Sequence, residues 1–193
     1  DVYKRQEAYL AEFQAFKERV QTLEREKREI ETLIADIERK KRERFLSTME
    51  AVSAELDRRF KQLFGGGEAK LSLENPEDLS SGLLIRARPP GKEPKLLDAL
   101  SGGEKTLVAI AFILALSAGR PAPFYLFDEV DAALDKPNSE RLAGLLREIA
   151  REGQVIVISH NEELIRHADR VYGVTMRGGS SHVLAVELVG NVR

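Results

Sequence analysis

From Gln6 to Phe64 the chain contains neither proline nor glycine, and a run of that length without a breaker can only be regular as a helix. Its charges are mixed, with fifteen Lys/Arg and fourteen Asp/Glu in residues 1–64, the composition of a solvated helix surface. Tyr9, Phe13, Phe16, Val20, Leu23, Ile30, Ile34 and Ile37 fall on alternating four- and three-residue steps, with Lys27 at the one core position that is not apolar. That spacing predicts a heptad seam. The alternative is a single long surface helix lying on its own domain. A helix of about 60 residues extends roughly 85 Å at about 1.5 Å per residue, beyond any core a chain of this size builds, so the seam predicts a partner helix.

The seam loses its phase in Glu38-Arg39-Lys40-Lys41-Arg42-Glu43-Arg44 and resumes at Phe45, Met49, Val52, Leu56, Phe60 and Leu63. The charged stretch reads as a solvated interruption, the other reading being a patch for DNA phosphates. Gly65-Gly66-Gly67 ends the helix, because residues without side chains favour no further turn and accept positive φ. The boundary therefore divides a coiled-coil arm and neck, residues 1–64, from a globular part, residues 65–193. Asp1-Val2-Tyr3-Lys4-Arg5-Gln6 is one translation of a transposon end used in preparing sequencing libraries, and residues 1–6 are expected to be such a scar.

In the globular part Ala69, Leu71 and Leu73, and then Leu83, Ile85 and Ala87, alternate with other residues, predicting two half-buried strands joined by the polar loop Asn75–Gly82. Leu107–Leu116 suits a buried helix, Phe124–Phe127 a buried strand, Leu142–Ile149 an amphipathic helix and Val155–Ile158 another interior strand. Alternation of this kind predicts an α/β domain with a mainly parallel sheet. Val171–Met176 and His182–Leu188 are expected to close the chain as a hairpin across Gly178-Gly179.

Composition removes several classes of function. The absence of cysteine excludes disulfides, thiolate zinc sites and cysteine nucleophiles. Thirty basic against thirty-two acidic residues, a net charge of −2, leave no global positive field, so any DNA contact must be local. No apolar stretch approaches the roughly 20 residues of a membrane span, and the start lacks a secretion pattern. The expected class is a soluble cytoplasmic protein.

Three segments carry chemistry. Ser101-Gly102-Gly103-Glu104 lies just before an apolar helix, where a hydroxyl and free N–H groups bind anions. The same residues also make an ordinary capping box, Ser101 with Glu104 three residues on. Asp128-Glu129 follow four apolar residues at a strand's carboxyl end, where open α/β sheets put their ligands. Loop solubility is the plain explanation; a nucleotide site fits two adjacent acids better, with Asp128 holding Mg2+ through its water shell and Glu129 orienting the attacking water. His160 ends the next strand, so parallel pairing would bring it to the same edge. His167 and His182 have no such placement and read as surface residues.

In this order the segments resemble the ATP-binding-cassette superfamily, with Leu100–Glu104 as signature, Phe124–Glu129 as Walker B, Ala133-Leu134-Asp135 as D-loop and His160 as switch histidine. Phe45-Leu46, Gly66-Gly67-Glu68-Ala69, Arg88-Pro89-Pro90-Gly91-Lys92, Asp128–Asp135 and Tyr172–Met176 sharpen this to a resemblance to the carboxy-terminal head of bacterial or archaeal SMC (structural maintenance of chromosomes) proteins. One departure bears on mechanism: no Gly-x-x-x-x-Gly-Lys-Ser/Thr loop occurs, and Gly91-Lys92-Glu93 lacks its outer glycine and hydroxyl. In that family the loop lies in an amino-terminal half-head far upstream, so a carboxy-terminal fragment is expected to lack it.

The resemblance implies ATP and Mg2+ as ligands, with Ser101, Gly102, Gly103, Glu104 and Asp135 as nucleotide contacts, Asp128 as the metal residue, and Glu129 and His160 as catalytic residues. It implies four partners: the amino-terminal half-head with its antiparallel coiled-coil helix, a second head, a kleisin on the neck helix and the outer face of the last strands, and DNA. The location implied is the cytoplasm, at the nucleoid. Alternatives are a DNA-repair ATPase with the same head, a transporter subunit and a scaffold. Val130-Asp131-Ala132-Ala133 disfavours the repair relatives, which tend to carry Pro-Thr after the acids, and the heptad arm disfavours a transporter.

Overall fold

The computed structural model describes residues 2–186. Helix α1 spans Val2–Phe64 without a break. The charged run that interrupts the seam stays helical, with the Arg39 guanidinium between Asp36 at 3.3 Å and Glu43 at 3.2 Å. Such exposed pairs contribute about 0.3–0.5 kcal/mol each, so they support the helix without replacing a partner. Tyr9, Phe13, Phe16, Leu23, Ile30 and Ile37 of the seam are each more than half exposed. Leu10 and Leu33, which the heptad reading passed over, are equally uncovered and widen the apolar stripe.

The described chain divides after Thr48 into two units, and from Met49 onward the helix belongs to the globular one. The resumed periodicity, expected to belong to the arm and neck, packs into the globular core instead: Leu56, Phe60 and Leu63 are fully buried, each such side chain worth about 1.5–3 kcal/mol in area removed from water. Strand β1 (Glu68–Leu73) pairs antiparallel with β2 (Leu83–Arg88), matching Leu71 to Ile85 and Ala69 to Ala87, so the alternating residues share the core face. The other flank of β1 is satisfied by the neck: Ala69 N–H donates to Asp57 Oδ1 at 3.0 Å and Leu71 N–H to Ser53 Oγ at 3.1 Å. A two-residue strand β3 (Lys95–Leu96) extends the sheet on the β2 side.

The glycine turn between α1 and β1 is sterically fixed. Gly67 has φ +82° and a Cβ there would lie 2.2 Å from the Arg88 carbonyl oxygen. Gly91 has a similar φ of +71° but open space around it. Gly67→Ala should therefore cost about 2–4 kcal/mol, the left-handed penalty plus overpacking, against about 1 kcal/mol for Gly91→Ala. Denaturant unfolding of the assembled head measures the difference; equal losses would show that the contact with Arg88 relaxes freely.

Helix α2 (Gly102–Ala118) buries Leu107, Val108, Ala111 and Leu114 in the same core. Strand β4 (Phe124–Asp128), helix α3 (Lys136–Ile149) and strand β5 (Gln154–Ile158) form a βαβ unit whose strands pair parallel, Asp128 opposite Ile158. A short helix α4 (Glu162–Arg166) follows. Strands β6 (Val171–Arg177) and β7 (Ser180–Val186) make the expected hairpin, with Gly178 at φ +56° and Gly179 at φ +82°. The expected end of the last strand at Leu188 lies outside the described residues.

The expected mainly parallel sheet is corrected. Among the described residues β4–β5 is the one parallel pair, and the β1–β2–β3 sheet and the β6–β7 hairpin are antiparallel. Only β4 and β5 are joined by a crossover helix, which parallel pairing requires; the polar loop and the glycine pair are short enough to reverse the chain. Strands β4 and β5 are also less interior than their apolar runs predict. Phe127 is buried, but Phe124, Leu126, Ile156 and Ile158 are 57, 59, 43 and 51% exposed on the opposite face.

Candidate functional site

Parallel register brings the acids and the histidine to one edge. Asp128 is the last residue of β4 and stands opposite Ile158, the last of β5, so Glu129 and Ser159-His160 leave the sheet side by side. Glu129 N–H donates to the Ile158 carbonyl at 2.9 Å, extending the ladder past the strands. Glu129 also has φ +47°, the one non-glycine residue among those described with positive φ. That conformation costs about 1–2 kcal/mol and is typical of residues that the surrounding structure aims. Asp128, Glu129 and His160 are all exposed. From Glu129 the chain turns twice, Ala132 N–H to Glu129 O and Leu134 N–H to Asp131 O, and delivers Asp135 as the N-cap of α3. One Asp135 oxygen, Oδ1, accepts the Asn138 N–H at 3.1 Å.

The second part of the site is the amino end of α2. The capping box is present: Glu104 Oε2 accepts from the Ser101 N–H at 3.0 Å and from its hydroxyl at 2.9 Å. Sequence reasoning missed the third member, Lys92, whose Nζ lies 2.8 Å from Glu104 Oε1. Lys92 first, then the Ser101 N–H and hydroxyl, hold the Glu104 carboxyl below its ordinary value of 4.5 against partial burial. A depressed carboxylate contributes stability that is complete above its ordinary value and is lost as pH falls through the lowered one, so the clamp is intact at neutral pH. Nothing in the spacing of Lys92 and Glu104 announces this contact; it exists because the Pro89–Lys92 turn, closed by Lys92 N–H on Pro89 O at 3.1 Å, lies over the start of α2.

The two glycines of this segment differ. A Cβ on Gly103 would lie 2.7 Å from the Ala133 carbonyl oxygen, so the loop after the acid pair packs directly on the start of α2. A Cβ on Gly102 would meet nothing within 4 Å. The chain's own packing thus accounts for Gly103 and leaves Gly102 with no internal reason to lack a side chain.

Sequence reasoning also missed a polar relay beneath the edge. The Ser159 hydroxyl donates to Asp131 Oδ2 at 2.7 Å and accepts the Asn161 N–H at 2.9 Å, and Asn161 Nδ2 donates to Ser139 Oγ at 3.0 Å. Asp131 is 5% exposed and Ser139 fully buried.

Among the described residues no three His, Asp or Glu side chains form a metal cluster. One carboxylate at a strand end nevertheless fits Mg2+, which keeps several waters and takes the rest of its ligands from phosphates. The exposed N–H groups and hydroxyl at the start of a 17-residue helix likewise fit a phosphate.

The family model described as RecF/RecN/SMC N terminal domain matches residues 3–182. The chain belongs to the RecF/RecN/SMC family. Within that family it is 46% identical over 173 residues to the chromosome partition protein Smc of Pyrococcus furiosus, covering 89% of this chain and 15% of the relative. The Smc of Aquifex aeolicus is 42% identical over 182 residues, covering 94% and 16%. The chain thus spans about 15% of the length of these SMC relatives.

Among solved structures, the P. furiosus Smc head domain with an extended coiled coil, bound to the C-terminal domain of ScpA, superposes with a TM-score of 0.83 at 46% identity, over 88% of this chain and 43% of that one. A chain from a study of ATP-driven dimerization and DNA-stimulated activation of SMC ATPases superposes at 0.71 with 45% identity, over 76% of this chain and 89% of that one. A long helix followed by an SMC head lobe is therefore the architecture, and the resemblance read from the sequence motifs is borne out.

Proposed function

We propose that this chain is the carboxy-terminal half of an SMC ATPase head, which contributes the hydrolytic acids to one ATP and the signature segment to another across a pair of heads. The observation that carries the reading is the meeting of Asp128-Glu129 and His160 at one strand edge, tied by the Glu129–Ile158 hydrogen bond. In this role Asp128 holds Mg2+ through water, Glu129 orients and deprotonates the attacking water, and His160 senses the γ-phosphate. ATP bound with its metal supplies the phosphoanhydride to be cleaved. Ser101, Gly102 and Gly103 donate to the γ-phosphate bound by the opposite head, and Asp135 approaches the nucleotide through its loop. The Ser101 hydroxyl donates to Glu104 Oε2, so donation to phosphate requires it to rotate; Lys92 keeps Glu104 anchored when it does.

Two exposed apolar faces support the partners of this reading. Phe124, Leu126, Ile156 and Ile158 on the open side of β4–β5 fit strands of an amino-terminal half-head, and the α1 seam fits an antiparallel helix. The SMC head relatives bound to ScpA domains favour a kleisin as third partner. The DNA-stimulated activation of the SMC ATPases to which this chain is similar favours DNA as fourth. The assembled protein works in the cytoplasm, organising chromosomes as ATP engages heads and hydrolysis releases them.

Calorimetry tests the division of labour. The isolated chain, without a phosphate loop, should bind MgATP at best weakly. Co-assembly with an amino-terminal half-head should restore one-to-one binding and turnover. Tight stoichiometric ATP binding by the chain alone would contradict the proposal.

A further inference from the structure

Beyond the residues that face the nucleotide, we infer that Asp131 is a positioning residue for hydrolysis: through Ser159 it locks the Glu129 turn to the strand end bearing His160. The inference rests on the ATPase reading above. Its basis is a division of contacts. Glu129 and His160 are exposed and make no side-chain hydrogen bond to each other, so their mutual placement comes from what lies beneath them. One tie is backbone, Glu129 N–H to Ile158 O; the only side-chain tie described between the two segments is Ser159 Oγ to Asp131 Oδ2 at 2.7 Å.

Asp131 and Ser159 each lie within two residues of the groups assigned to catalysis, Asp131 buried and Ser159 half-buried. Ser159 in turn accepts the Asn161 N–H, and Asn161 both caps α4 through the Glu163 N–H and reaches Ser139 in α3. The relay thus joins the Glu129 turn, the His160 strand end and the first turns of α3 and α4. Stability alone gives no reason for a carboxylate here: Asp131 Oδ1 is buried with no partner among the described residues, and a half-satisfied buried carboxylate is costly. Holding Glu129 at φ +47° against the histidine strand gives one.

The test uses the assembled head with its amino-terminal half, comparing Asp131→Ala, Ser159→Ala, the double variant and Asp131→Asn. Breaking the tie should lower kcat about 10- to 100-fold, the range of a misplacement near 1 Å, while ATP affinity and ATP-dependent head pairing stay within about threefold. The double variant should be no slower than the worse single one, since both remove the same bond. Asp131→Asn keeps an acceptor for Ser159 and should recover most of the rate. Parallel loss of melting temperature, pairing and kcat, with no rescue by Asn, would assign Asp131 to folding and overturn the inference. Full kcat in both alanine variants would overturn it as well, leaving the ATPase reading in place. A wild-type head without ATP turnover would overturn both.

Discussion

Glu129→Gln in the assembled head should lower ATP turnover by at least about 100-fold while ATP-dependent head pairing persists, since a positioned general base contributes roughly 10²–10⁴. Gln keeps the size of the side chain and can still orient water, but cannot take its proton. The fold should not notice: Glu129 is exposed, and its turn is held by its backbone bond to Ile158 and by Asp131. In the proposed cycle, where loss of the γ-phosphate releases the heads, the variant should accumulate as a pair of heads with ATP between them. Steady-state hydrolysis and size-exclusion chromatography with ATP measure the two halves of this expectation, and rapid turnover by the variant would remove Glu129 from its role.

Ser101→Arg should have the opposite signature, intact ATP binding to its own head and pairing weakened by about 100-fold or more. Ser101 is exposed at the start of α2, and its hydroxyl donates to Glu104 Oε2. Losing that half of the capping box costs about 1 kcal/mol of helix stability, while Lys92 still holds Glu104. On the proposed reading a guanidinium in place of the hydroxyl would fill the space the opposite nucleotide enters and leave buried contacts unmade, which at a desolvated interface centre costs several kcal/mol. Heads that still pair with ATP would remove the signature role.

The long helix was legible because a heptad seam without glycine or proline over Gln6–Phe64 has one regular solution, but that Leu56, Phe60 and Leu63 bury in the globular core rather than in the arm was not, because the apolar spacing is the same against either partner. The candidate site was legible as a set of segments, because an acid pair after apolar residues and a serine before glycines are local patterns that need no knowledge of the rest of the fold. Pairing was legible only in part. The parallel β4–β5 pair and the hairpin across Gly178-Gly179 formed as expected, whereas the antiparallel β1–β2–β3 sheet, with Lys95–Leu96 as its short third strand, depends on which edges meet and is not announced by the alternating runs.

The supports of the site were hidden for the same reason. Asp131 and Ser159 are 28 residues apart and meet only through the β4–β5 register. The approach of Gly103 to the Ala133 carbonyl depends on how α2 packs against the loop after β4. Arg88–Lys92 is part of the family resemblance, yet the reason for its lysine became visible only with the Glu104 contact.

The central claim is that the acids and the signature of one chain serve different ATP molecules. Two assembled heads joined by a flexible linker, which keeps them at high effective concentration, test it directly. One fusion carries Glu129→Gln in the first head and Ser101→Arg in the second; the other carries both substitutions in the first head beside an unaltered second. Shared sites leave the first fusion one complete site, from the acids of the second head and the signature of the first, and leave the other fusion none. ATP turnover is therefore predicted in the first fusion, at up to about half the unaltered rate less any loss from the weaker pairing, and should be absent in the second. Turnover in the second fusion with none in the first would contradict the account.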